Sequence, residues 1–121
     1  MVFQYRYKAL VIEIIDGDTI WMVVDLGFNV LKKLKLRLAG IDSAELKDKN
    51  NIKKALAAKS YLEDKVLNKE VIVKSLKPGK YSERYIGFLY SEGDAESYND
   101  KMLKKGLVSV YNGGKRKNTK K

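Results

Sequence analysis

Lys33-Leu34-Lys35-Leu36-Arg37-Leu38 alternates cations and leucines without a break. Side chains on a strand repeat every two residues, so this run predicts a strand with its leucines in a core. Lys33, Lys35 and Arg37 then form a basic stripe on its outer face. Ala9 to Ile15 is apolar and β-branched and predicts an earlier strand. The turn dipeptide Asp16-Gly17 follows it. Thr19 to Asp25 completes a hairpin, with Ile20, Met22 and Val24 on one face and Trp21 read as structural. Leu26 to Leu31 reads as a looser connection.

Past the third strand, Gly40 to Asn51 is polar and reads as a loop, with Asn51 placed to cap a helix. Ile52, Ala55, Ala58, Leu62 and Val66 recur at helical spacing, so Ile52 to Leu67 predicts that helix. Glu70 to Leu76 predicts a fourth strand, Lys77-Pro78-Gly79 a turn, and Arg84 to Tyr90 a fifth strand. Ser97 and Asp100 make a capping-box pattern before a second helix, which Gly106 ends. Leu107 to Tyr111 is a short apolar segment. Three strands, a helix, two strands and a helix predict a mainly β fold with helices: a five-stranded OB-fold barrel with two packed helices. An open α+β sheet is the alternative.

Composition narrows the chemistry. The 121 residues contain no Cys and no His. Disulfides, thiolate catalysis, zinc-cysteine sites and imidazole bases are therefore excluded. Acid–base work falls to Asp, Glu, Tyr or Lys, and any metal must be a hard one held by oxygen. The net charge is +10, from 25 Lys and Arg against 15 Asp and Glu. An acidic partner follows, with nucleic acid ahead of a membrane surface. Half of that excess, +5, lies in residues 112–121, which carry Lys115, Arg116, Lys117, Lys120 and Lys121. The expected organisation is a domain over 1–111 and a flexible basic tail over 112–121. The opening residues read as part of a strand and not as a signal peptide. The chain is expected to be cytoplasmic, unless a leader has been removed.

The acids not spread over helix faces fall in two places. Asp16 and Asp18 flank Gly17 at the first hairpin. Asp42 and Glu45 follow the third strand, with Arg37 five residues before Asp42. Taken singly, these are a polar turn, a loop and a surface cation. Taken together, Asp18 and Asp42 supply oxygen ligands for a divalent cation. Arg37 supplies a planar fork for phosphate. Glu45 supplies a carboxylate for a water. Phosphodiester hydrolysis needs these three functions.

The run Ile14-Ile15-Asp16-Gly17-Asp18-Thr19 and the run from Leu36 to Glu45 (LRLAGIDSAE) resemble the staphylococcal nuclease (thermonuclease) family. Arg84 to Tyr90 resembles that family's strand opening on a second essential arginine. Asn99 to Leu107 resembles its N-x-x-L-x-x-x-G-L helix. The resemblance covers roughly residues 8 to 114. It implies a five-stranded OB barrel and a Ca2+-dependent endonuclease that cleaves DNA and RNA to leave 3′-phosphate ends. By the same resemblance, Asp18, Asp42 and the Ser43 carbonyl hold Ca2+, and Asp16 stands behind them. Glu45 is the general base or water orienter, and Arg37 and Arg84 grip the phosphate. Lys80, Tyr81 and Tyr111 are expected substrate contacts. Two departures stand out. The family's D-T-P-E is Asp42-Ser43-Ala44-Glu45 here, and the segment before Arg84 is one residue longer.

The partners implied are single- or double-stranded DNA and RNA, with no membrane, and the chain is expected to be a monomer. The alternative functions are a non-catalytic OB-fold module that only binds nucleic acid, or a basic interaction domain. The presence of Asp18, Arg37, Asp42, Glu45 and Arg84 together favours the enzyme.

Overall fold

The structure, a computed structural model, describes residues 5–47, 49–76 and 85–111. Seven strands and two α-helices lie among them: β1 (Arg6–Asp16), β2 (Thr19–Asp25), β3 (Leu31–Leu38), β4 (Ile41–Asp42), α1 (Ile52–Lys65), β5 (Glu70–Leu76), β6 (Tyr85–Tyr90), α2 (Tyr98–Lys104) and β7 (Ser109–Val110). Five strands close into a barrel in the order β1-β2-β3-β6-β5. Every barrel pairing is antiparallel except β3 with β6, which run parallel through Leu36–Tyr85, Arg37–Ile86 and Leu38–Gly87. This is the closed OB-type arrangement, and the open-sheet alternative falls away.

The alternation in β3 does what its period requires. Leu36 and Leu38 are buried with Ile20, Met22 and Val24 of β2, Val11 of β1 and Leu89 of β6. Ala58 and Leu62 of α1, with Val66 just past its end, pack into the same core. Apolar area removed from water in this shared core is the main stabilising term. No helix among the described residues is long and apolar enough to cross a membrane.

Several boundaries differ from expectation. The third strand begins at Leu31 and not Lys33, because a tight turn closes the hairpin. Leu26 N–H donates to Val30 O, and Val30 N–H donates to Gly27 O. Gly27, Phe28 and Asn29 all take left-handed backbone there. The first helix stops at Lys65 and not Leu67. Val66 is its C-cap, and Asn68 turns left-handed at φ 63° to hand its N–H to Val11 O at 2.8 Å. Asn51 occupies the N-cap, yet its side chain makes no capping hydrogen bond. Ser97 does cap α2, its Oγ accepting from Asp100 N–H at 3.1 Å.

The expected loop after β3 contains structure of its own. Ile41 and Asp42 form β4, which pairs with β7 inside the apolar segment 107–111. Tyr111 N–H donates to Gly40 O at 3.0 Å and extends this contact. Residues 109–111 are thereby pinned beside the turn that follows Arg37.

Candidate active site

Two ends of the barrel wall meet at the site. The β1–β2 turn carries Asp16 and Asp18. An Asx turn shapes it, Asp18 N–H donating to Asp16 Oδ1 at 3.0 Å. The second contributor is β3 with the segment after it. Leu38 N–H donates to Asp18 O at 2.8 Å and locks the two together. Gly17 makes the approach possible. A Cβ there would lie 2.5 Å from the Ala58 Cβ and 2.8 Å from the Ser43 Cβ. The glycine expected as a mere turn residue is also the gap into which α1 and the Ser43 segment fit.

Asp18 is buried and each of its carboxylate oxygens accepts a hydrogen bond. Oδ1 accepts from the Thr19 hydroxyl at 2.9 Å, and Oδ2 accepts from Ser43 N–H at 2.9 Å. Arg37 Nη1 lies 3.4 Å from Oδ2. Burial pushes the Asp18 carboxyl up. Hydrogen bonds from Asp16, Ser43 N–H and Thr19, with the Arg37 charge, outweigh that and hold it below the ordinary range. Asp16 goes the other way. Burial first, then its hydrogen bond to Asp18, push its carboxyl up to about 6. Of the two neighbouring carboxyls, the one with the cation and the donors ionises first.

Arg37 is no free surface cation. Nη1 donates to Ile41 O at 2.8 Å and to Leu38 O at 3.1 Å, bracing the turn between β3 and β4. Nη2 reaches Asp42 Oδ1 at 3.5 Å. The guanidinium also lies over the Tyr111 ring, 5.1 Å from its centre. It thus stands between Asp18 and Asp42, fixed by two carbonyls and one aromatic face.

Asp16, Asp18, Arg37, Asp42, Ser43, Glu45 and Tyr111 line one open cavity of about 280 Å³ with Thr19 and Ala44. A second cavity of about 380 Å³ shares the segment from Asp42 to Glu45 and adds Asn51, Lys54 and Ser109. Glu45 is exposed to solvent. Lys80, Tyr81 and Arg84 lie outside the described residues. Among the described residues, no three carboxylates are close enough to form a ready-made metal cluster. The donors at the cavity are nonetheless all hard oxygen, the set that suits calcium and magnesium and no soft metal.

Two residues carry weight that their sequence signals did not show. Thr19 orients Asp18. Asn99, wholly buried, donates from Nδ2 to Ala39 O at 2.8 Å and to Gly87 O at 3.3 Å. Its Oδ1 accepts from Leu89 N–H at 3.1 Å. One amide from α2 thus ties β6 to the residue just after β3. Asn99 had been visible only as the first letter of a helix motif.

The OB-type barrel thus gathers carboxylates and an arginine at one cleft. The family model of staphylococcal nuclease homologues matches residues 35–121, and the chain belongs to that family. The match begins at Lys35, so Asp16 and Asp18 precede it and reach the cleft through the barrel. An uncharacterised protein of Methanocaldococcus jannaschii is 26% identical over 130 aligned positions, which cover 88% of this chain. The chain spans 60% of that relative's length.

Proposed function

We propose that the chain is a Ca2+-dependent endonuclease that hydrolyses phosphodiester bonds of DNA and RNA and leaves 3′-phosphate ends. One observation carries the reading. Asp18, Arg37, Asp42 and Glu45, from two distant stretches of sequence, line a single open cleft. In this reading Asp18, Asp42 and the Ser43 carbonyl hold calcium, and Asp16 supports Asp18 from behind. When bound, the ion supplies positive charge to the phosphate oxygens. Arg37 presents its Nε–H and a second Nη2–H to a phosphate oxygen, the other donors being spent on carbonyls and Asp42. Its fixed position means little reorganisation as charge builds on the phosphate. Arg84 makes the second grip. Glu45 orients a water or takes its proton as the water oxygen attacks phosphorus. The bond from phosphorus to the 5′-oxygen breaks, so phosphate stays on the 3′ side. Tyr111 shields Arg37 and borders the substrate, with Lys80 and Tyr81 as further contacts.

The test is incubation with single-stranded DNA and RNA, first with calcium and then with EDTA. Cleavage that requires calcium and vanishes in Glu45→Ala supports the enzyme. Calcium-independent binding without cleavage leaves a nucleic-acid-binding module instead.

A further inference from the structure

The hairpin between β2 and β3 ends in a tip that the fold leaves uncovered. Phe28 is wholly exposed, and Leu26, Val30 and Leu31 are exposed beside it. Apolar side chains gathered this closely on a surface mark a contact site. The backbone points the same way. Phe28 holds φ 56°, between Gly27 and Asn29 in the same left-handed region. Glycine and asparagine suit that conformation, and a phenylalanine is strained in it. No packing within the chain offsets the strain, since the ring stands in solvent. Cations stand just behind the tip. Lys32 and Lys33 follow Leu31, and Lys8 of β1 lies opposite Asp25 in the strand register. Among the described residues, none of these lysines makes a salt bridge. Asp25 is taken up by the turn itself, its Oδ1 accepting from Gly27 N–H at 2.8 Å. The whole of β2 separates this tip from Asp16 and Asp18, a distance of about 20 Å.

We propose that this tip docks on an anionic lipid bilayer. Phe28 and Leu31 enter the headgroup region, and Lys8, Lys32 and Lys33 meet the lipid phosphates and carboxylates. The contact is separate from cleavage and does not rest on it. It departs from the expectation of no membrane partner, because a hairpin tip needs no spanning helix. Binding at a bilayer surface grows with the apolar area that enters it and with attraction to anionic headgroups. The tip supplies both. A second copy of the chain fits worse. A two-fold contact through the tip would set the three lysines against their own images, in chains of net charge +10. An anionic surface turns the same charges into an attraction. With the tip in the bilayer, the cleft at the other end of β2 still faces water.

The test is co-sedimentation of the full chain with vesicles of phosphatidylcholine, alone or mixed with phosphatidylserine. The mixed vesicles should bind, and phosphatidylcholine alone should bind roughly tenfold more weakly. Phe28→Asn, which suits the left-handed turn, should weaken binding to mixed vesicles about tenfold without lowering Tm. Lys32→Ala/Lys33→Ala should weaken it roughly tenfold as well. A matched control, Lys65→Ala/Lys105→Ala on the helical side, should change it by no more than about twofold. A depth probe separates insertion from adsorption by charge. Trp21, the chain's one tryptophan, lies behind the tip under Lys33 and Lys35, whose ammonium groups are 5.3 and 5.7 Å from its ring centre. Phe28→Trp in a Trp21→Phe chain should be quenched by lipid brominated in the acyl chain, whereas Trp21 of the parent chain should not. No vesicle binding, unchanged binding in Phe28→Asn, equal loss in both lysine pairs, or no quenching at position 28 overturns the proposal. So does a dimer in solution that Phe28→Asn dissolves, since the tip would then serve a second copy.

Discussion

Asn99 donates its side-chain amide to the carbonyl of Ala39, 60 residues earlier in the chain, at 2.8 Å. Ala39 sits between Arg37 and Asp42, so this bond sets the path of the segment that carries both. Asn99→Ala would strand the Ala39 carbonyl and the Leu89 N–H in the interior. Each buried unsatisfied group costs about 1–3 kcal/mol, so urea unfolding should show a loss of roughly 2–6 kcal/mol. A loss below 1 kcal/mol would mean that water or a shifted backbone replaces the amide with little penalty.

Arg37 stands between the two carboxylates assigned to calcium, and this gives its removal two opposed effects. Arg37→Ala should slow cleavage by ~10²–10³ through loss of phosphate stabilisation. Calcium affinity should rise a few-fold at the same time, because a positive charge no longer competes for Asp18 and Asp42. Calorimetry with calcium beside single-turnover cleavage measures both. A weaker calcium site in Arg37→Ala would mean that the guanidinium organises the carboxylates more than it opposes the ion. Arg84→Ala should slow cleavage to a similar degree, and a loss under tenfold would remove it from the phosphate grip.

Gly17→Ala tests how closely the site is packed. The added methyl must displace Ala58 of α1 and Ser43, neither of which has a flexible end to move. Overpacking of this kind costs about 1–3 kcal/mol, and here it also pushes Ser43 from Asp18. Thermal unfolding should show the loss, and Ala58→Gly in the same chain should restore part of it. Full stability in Gly17→Ala alone would show that the β1–β2 turn can lift away from α1.

A pH effect follows from the loop that leads into α2. A hydrogen bond from Lys101 first, then one from Glu96 N–H, hold the Asp94 carboxyl below its ordinary 3.8. The same pair raises Lys101 above its ordinary 10.5. A depressed acid stabilises the fold above its unfolded value and loses that as pH falls through its folded value. A raised lysine stabilises below its unfolded value and loses that as pH rises through its folded value. Asp94→Asn should therefore lower Tm most fully between pH 3.8 and 10.5, and the gap should close as pH falls through the folded Asp94 value below 3.8 or rises through the folded Lys101 value above 10.5. Both partners are solvent-accessible, so added salt should narrow the gap. A Tm difference that persists at pH 2 would mean that Asp94 acts through packing and not charge.

How much was legible depended on the range of the signal. The β3 alternation, the α1 stripe and the Ser97 cap are local patterns, and the structure follows them. The pairing of β4 with β7 was hidden, because two residues carry no period and their partner lies far along the chain. The bulges in β1 between Val11 and Glu13 and between Ile14 and Asp16 were hidden for the same reason. Trp21, read as structural, lies half-buried on the outer face under two lysines. At the site, residue types were readable but commitments were not. No spacing announces that Arg37 braces two carbonyls, or that a buried asparagine holds the turn after it.

The most direct test is single-turnover hydrolysis of a 5′-labelled single-stranded oligonucleotide in calcium, with product masses read by spectrometry. A calcium-dependent endonuclease with Glu45 at the attacking water should give internal cuts ending in 3′-phosphate and 5′-hydroxyl, abolished by EDTA, and slowed by ~10² or more in Glu45→Ala. Cleavage that survives EDTA, 5′-phosphate products, or an unimpaired Glu45→Ala would contradict it.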